Sequence, residues 1–174
     1  MPRLPALYME TMWQTLDRRQ MLAVLGAGVA ATALGACRAS PAAAESFPVR
    51  FSDEQWRRRL SPAAYRVLRQ EATERPFSSP LDHEKRAGIF RCGGCGQPLF
   101  SSRTKFDSGT GWPSFYAPLR HAVGTRRDFS LGIPRTEVHC ARCGGHLGHV
   151  FDDGPPPTGK RYCMNGAALQ FRAA

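Results

Sequence analysis

The sequence lacks any run of about twenty consecutive apolar residues, the length an α-helix needs to cross a bilayer core. Its longest weakly apolar stretch, "MLAVLGAGVAATALGA" from Met21 to Ala36, has only 16 residues and is built of small side chains. A spanning anchor is disfavoured, and a secretory leader fits better. Acidic residues are also scarce: 14 Asp and Glu stand against 24 Lys and Arg, for a formal charge of +10. Such an excess points to nucleic acid when the basic residues gather on one face among aromatics. Here they are scattered, the densest group being "RRR" at Arg57 to Arg59, so the expectation is a solvated basic surface and no nucleic-acid partner.

What is present near the start is an arginine pair, Arg18-Arg19, directly before the apolar run and followed by the small-residue stretch "PAAAES". This is the pattern of twin-arginine export, which carries folded and often metal-loaded proteins to the periplasm. Residues 1–44 are therefore expected to be an export signal and 45–174 the working domain. Two processing sites compete. "LGAC", ending at Cys37, has the form of a lipoprotein box, and its lipidation would attach the protein to a membrane; "AAAE" offers a cut after Ala44. Removing residues 1–44 takes away four arginines and two acids and leaves the domain at +8.

Within the domain, residues 46–75 carry helical signals. "SDEQ" at 52–55 has capping-box form, and "SPAAYRVLRQEATE" opens with an N-cap serine and a proline at the first helical position. Two short helices are expected. After Pro76 the apolar residues come in short runs, "GIFRC", "QPLFSS", "TEVHC", "HVFDD" and "AALQF", each bounded by turn residues. These read as short antiparallel strands that need a staple beyond their own small core.

Four of the six cysteines supply one. Cys92-x-x-Cys95 and Cys140-x-x-Cys143 lie in the glycine-rich knuckles "RCGGCG" and "HCARCGG", and four thiolates at this paired spacing suit one tetrahedral structural zinc ion. Disulfides are an alternative in an oxidising compartment. So is a local site of Cys140, Cys143, His146 and His149, which would orphan the first pair. Cys163, in "GKRYCMNG", stands apart: it is either a buried small hydrophobe or a reactive thiol.

The long ordered segments "ERPFSSP", "CGGCGQPLFSSRTKFDSGTGWPSF" and "VHCARCGGHLGHVFDDGPPPTGKRYCMNGAALQF" resemble the B-type peptide-methionine sulfoxide reductases from about residue 50 to 172. The resemblance implies a mainly β fold of two antiparallel sheets, tent-like, with short N-terminal helices and the metal remote from the active cysteine. It also implies reduction of methionine R-sulfoxide in peptides or proteins, the repair route for one sulfoxide epimer. On that pattern Cys163 is the nucleophile, and Arg161 helps hold it ionised. His146 and His149 bind and protonate the leaving oxygen, while Asp153 orients an imidazole or joins a water network. Asn165 supports the nucleophile's surroundings, Trp112 packs the substrate's methyl group, and Phe115 and Phe151 form the pocket wall. His83, His121 and His139 match no role and default to surface or structural positions.

One departure stands out. Many relatives carry a resolving cysteine in the segment written here "SGTGW", and this chain has Thr110. With four cysteines given to the metal and Cys37 removed or lipidated, Cys163 is left alone, so a sulfenic acid formed there requires an external reductant, a thioredoxin-like protein. A monomer is expected. The competing functional reading is a non-catalytic zinc-stabilised binding module on the same fold, which would have lost the nucleophile or its histidines.

Overall fold

The computed structural model describes residues 45–174, and the expected export signal, with both processing sites, lies outside the described residues. The first elements among the described residues are two short helices. α1 (Asp53–Arg59) opens on Ser52, whose Oγ accepts from the Gln55 amide while the Gln55 side chain accepts from the Ser52 amide, the capping box in full. α2 (Pro62–Gln70) opens on Ser61 with proline in its first turn and stops at Glu71, which sits in the left-handed region at φ 57°. Trp56 of α1 and Tyr65, Val67 and Leu68 of α2 are buried, so both helices lie on the domain through one face.

Nine strands follow: β1 (Gly88–Cys92), β2 (Pro98–Ser101), β3 (Lys105–Phe106), β4 (Ser114–Phe115), β5 (Val123–Asp128), β6 (Arg135–Cys140), β7 (His146–Phe151), β8 (Arg161–Met164) and β9 (Leu169–Ala173). They form two antiparallel sheets, one ordered β2-β1-β9 and the other β3-β4-β8-β7-β6-β5. This is the mainly β, two-sheet arrangement with two leading helices expected from the sequence.

Two strands differ from their sequence boundaries. β7 begins at His146, three residues before the "HVFDD" run, and "AALQF" opens with a 3-10 turn at Gly166–Ala168 before β9. Gly148 explains the first. Its φ is 156°, and a Cβ there would lie 2.1 Å from the Cys163 carbonyl oxygen, so only glycine lets β7 lie this close to β8. β3, β4, β5 and β8 were not legible as strands. β5, "VGTRRD", is an edge strand with three consecutive exposed residues, and its pairing comes from β6 rather than from an apolar face of its own.

The core lies where the sheets meet. Phe100 of the smaller sheet stacks on Phe115 of the larger at 4.4 Å between ring centroids, and Phe90 meets Phe115 edge-on at 4.9 Å. Leu99, Leu147, Val138 and Met164 complete it, all fully buried. Phe115 therefore belongs to this core and not to a pocket wall, a correction to the sequence reading: β4 turns its Phe inward and its Ser114 toward Cys163.

The two cysteine knuckles join the sheets. Each first cysteine ends a strand, Cys92 in β1 and Cys140 in β6, and the two turns repeat the same bonds. The Gly96 amide donates to the Cys92 carbonyl, and the Gly144 amide to the Cys140 carbonyl, both at 2.9 Å. Gly96 and Gly144 have φ of 73° and 66°, the conformation the turn requires and other residues resist. Among the described residues no helix is long and apolar enough to cross a membrane.

Candidate active site

Strand register lines up the chemical groups. Cys163 on β8 pairs with Ser114 on β4 to one side and His149 on β7 to the other; His149 pairs with Glu137 on β6, and Glu137 with Arg126 on β5. Directly opposed residues of antiparallel strands point to the same face. Ser114, Cys163, His149, Glu137 and Arg126 thus form one row across the larger sheet.

A cavity of about 130 Å³ opens at this row, lined by Trp112, His149, Phe151, Cys163 and Asn165 among the residues expected at the site, and by Thr73, Arg135 and Gly148, which were not expected there. The Trp112 indole is held by its Nε1–H, which donates to the Glu74 carbonyl at 3.1 Å. Asn165 acts on the backbone: its Oδ1 accepts from the Glu74 amide at 2.9 Å and its Nδ2 donates to the Leu147 carbonyl at 3.1 Å. Glu74 in turn accepts from the amides of Gly166 and Ala167. The Glu74 segment therefore ties the tryptophan wall to the turn that follows β8.

Cys163 is half-buried. Its Sγ lies 3.8 Å from Thr110 Oγ1, and Ser108 bridges Thr110 and Ser114 at 2.8 and 2.7 Å, so the thiol faces a cluster of hydroxyls. Burial raises the thiol above its ordinary value, and the bond to Thr110 and the charge of Arg161 oppose this without overcoming it. Arg161 thus acts on the thiol in the expected direction without outweighing burial, and its guanidinium is also bound to Asp153, at 2.9 and 2.8 Å, and lies over the Phe151 ring, 4.4 Å from its centroid.

Of the two roles expected of Asp153, the structure bears on the first, orienting an imidazole. Asp153 is exposed and bound to Arg161, whose guanidinium lowers its carboxyl, and it orients no imidazole. Two other carboxylates do that. His149 shares its Nε2 proton with Asp128 Oδ2 at 2.7 Å, and His146 shares its Nδ1 proton with the buried Glu137 at 2.8 Å. Each carboxylate fixes a ring orientation, and Asp128 favours the protonated form of His149. Burial lowers His149 below its ordinary value, with the Asp128 bond opposing. Asp128 is lowered by bonds from the Ser130 amide and hydroxyl and from His149, and Arg135 holds it at 2.5 Å. Glu137 is lowered even though burial, its largest single influence, acts the other way, because His146 and Arg126 together outweigh it. The two rings meet edge-on at 5.4 Å, and His146 Nε2 is buried with no partner among the described residues.

The sequence reading missed Glu137, Asp128, Glu74, Arg135 and the hydroxyls around Thr110. Glu137 left a signal: a carboxylate in the middle of the apolar run "TEVHC", at a position that turns out fully buried. Of the unassigned histidines, His121 is exposed with φ 54°, His83 lies in a 3-10 turn, and His139 is buried beside Cys140.

The four knuckle cysteines place their sulfurs within 4.8 Å of one another, with Cys92 and Cys143 at 3.7 Å and Cys95 and Cys140 at 3.6 Å. A disulfide would need about 2.05 Å. Four thiolates at about 2.3 Å from a tetrahedral ion would stand about 3.8 Å apart, so the set fits a structural metal. His146 and His149 take no part in it, which removes the local Cys-Cys-His-His alternative.

The SelR domain matches residues 60–173. A peptide methionine sulfoxide reductase MsrB of Bradyrhizobium diazoefficiens is 62% identical over 121 residues, 69% of this chain and 87% of the relative. MsrB proteins of Agrobacterium fabrum and Thiobacillus denitrificans are 53% and 57% identical, over 71% and 69% of this chain and 92% of each relative.

Proposed function

Because the chain belongs to the SelR domain family of B-type methionine sulfoxide reductases, we propose that it reduces methionine R-sulfoxide in peptides or proteins, with Cys163 as nucleophile. The observation that carries this is a single half-buried thiol in a cavity walled by Trp112 on one side and His149 on the other. The indole face receives the S-methyl group, and the ring nitrogen of His149 not engaged by Asp128 faces the sulfoxide oxygen.

The Cys163 thiolate attacks the sulfoxide sulfur as the oxygen takes up a proton. The new sulfur–sulfur bond and the S–O bond then break as the oxygen, with its proton, passes to Cys163 Sγ; the substrate leaves as the thioether, two electrons richer, and Cys163 is left as the sulfenic acid. An external thiol then condenses with it, releasing water as a mixed disulfide forms, and a second thiol displaces free Cys163. A thioredoxin-like protein would serve, in the periplasm if residues 1–44 direct export. The four-cysteine cluster is assigned to one zinc ion, which the residues Cys92, Cys95, Cys140 and Cys143 would hold as a structural pin.

Turnover of separated R and S epimers of a methionine-sulfoxide peptide with dithiothreitol tests the reading: the R epimer is consumed and the S epimer is not, and equal rates would remove it. Thr110 offers a second measurement. Its Oγ1 is already within 3.8 Å of the reactive sulfur, so Thr110→Cys should convert the oxidised enzyme to an internal disulfide, two mass units below the dithiol. The unmodified chain should instead gain one oxygen.

The pH profile reports on Asp128. Its bond raises His149, so Asp128→Asn should let the imidazole lose its proton at lower pH. The acid limb of kcat/KM then moves to lower pH, and the plateau falls about tenfold for each unit moved. An unchanged profile would show that His149 is not the proton donor.

A further inference from the structure

Four large apolar side chains are exposed among the described residues: Phe77 at 66%, Phe129 at 59%, Leu131 at 68% and Ile133 at 62%. Isolated exposed apolar residues are ordinary, but a grouping of them marks an interaction surface. All four belong to segments that end on the catalytic cavity. The Phe77 amide donates to the Gly111 carbonyl at 2.7 Å, next to the cavity tryptophan. The other three lie between Asp128, which holds His149, and Arg135, which lines the cavity. In strand order these segments fall on either side of the reactive strand β8.

The 129–134 loop inverts the usual arrangement. Its polar groups are used to hold it: the Ser130 amide donates to Asp128 Oδ1 at 2.8 Å, the Gly132 amide to the Phe129 carbonyl at 3.0 Å, and Arg135 reaches both Asp128 and Ser130. The apolar side chains are left to solvent. At its root, Arg135 lines the cavity, and its Nε is buried without a partner among the described residues.

We propose that Phe129, Leu131 and Ile133, together with Phe77 beside the Gly111–Trp112 segment, form an apolar surface that grips apolar residues flanking the oxidised methionine of a peptide substrate. The surface is apolar, so the flanking residues it would hold are apolar. The occupant is a peptide because the loop carrying three of these side chains is bounded by Asp128, which holds His149, and by Arg135, which lines the cavity that must admit the peptide's own side chain. The inference rests on the reductase reading for its chemistry but can be tested apart from it.

The experiment compares the wild-type protein with the triple variant Phe129→Ser, Leu131→Ser, Ile133→Ser. These residues are exposed, so the fold does not depend on them. Three methionine R-sulfoxide substrates are used: a blocked single residue, a pentapeptide with leucine flanks and one with serine flanks. The wild type should favour leucine flanks by about tenfold in kcat/KM. The variant should lose that preference while turning over the blocked residue at the wild-type rate. Titration of the unoxidised leucine-flanked peptide should show the same loss of binding, whether or not turnover occurs. Phe77→Asn, which tolerates the left-handed backbone at φ 60°, should give a partial loss. An unaltered preference, an equal fall on all three substrates, or a defect confined to binding of phospholipid vesicles would overturn the proposal.

Discussion

With serine in place of Cys163, turnover of methionine R-sulfoxide should fall by on the order of 10⁴ or more while the domain remains folded. The first half follows from the reaction: a hydroxyl is far less nucleophilic than a thiolate, and loss of a nucleophile removes most of an enzyme's acceleration. The second half follows from the surroundings. The sulfur faces Thr110 and Ser114, groups able to accept or donate to a serine hydroxyl, and it contributes to neither the Phe90-Phe100-Phe115 core nor the metal cluster. The polar replacement therefore costs about 1 kcal/mol or less, a melting shift of a few degrees. Steady-state rates with dithiothreitol alongside a thermal melt measure both. Residual activity above about one per cent would show that another group attacks the sulfoxide.

Cys140→Ser should have the opposite outcome, with loss of the fold as well as the activity. Cys140 is completely buried at the end of β6, and its partner knuckle ends β1 of the other sheet, so the cluster spans the seam between them. Structural zinc sites of this kind supply about 10–16 kcal/mol of apparent binding free energy, as much as the whole net stability of a domain, about 5–15 kcal/mol. Without the ion, three buried sulfurs and one half-buried one are left within 4.8 Å of one another with no cation between them. Hydrogen bonding to Cys140 pushes Cys92 and Cys143 up and Cys95 down, while bonding to Cys143 pushes Cys140 down. Metal analysis should give one zinc per chain in the wild type and in Cys163→Ser, and much less in Cys140→Ser. A chelator should abolish cooperative unfolding. A chelated protein that melts at the temperature of the untreated one would refute a structural ion.

How much of this was legible in the chain depends on where the information sits. The capping serines, the knuckles and the segments around Trp112 and Cys163 are local patterns, and the two helices and the cysteine cluster could be read from them. The partners of the two histidines could not. Asp128 and Glu137 are 21 and 9 residues from the imidazoles they hold, and only strand pairing brings them there. Asp153 looked the better orienting carboxylate because it follows His149 by four residues. The chain turns after β7, however, and sends it to Arg161 instead. Phe115 was misplaced for a related reason: a two-residue strand gives no alternation from which to tell the inward face from the outward.

The alignment of Ser114, Cys163, His149, Glu137 and Arg126 also sets what this chain can tolerate. Side chains alternate between faces along a strand, so a slip of one position in β8 would carry the thiol to the reverse of the sheet and leave its helpers behind. Lengthening the connection between β7 and β8 would disturb nothing in that order. Adding or deleting one residue within β8 would silence the molecule even if hydropathy, composition and metal content were unchanged.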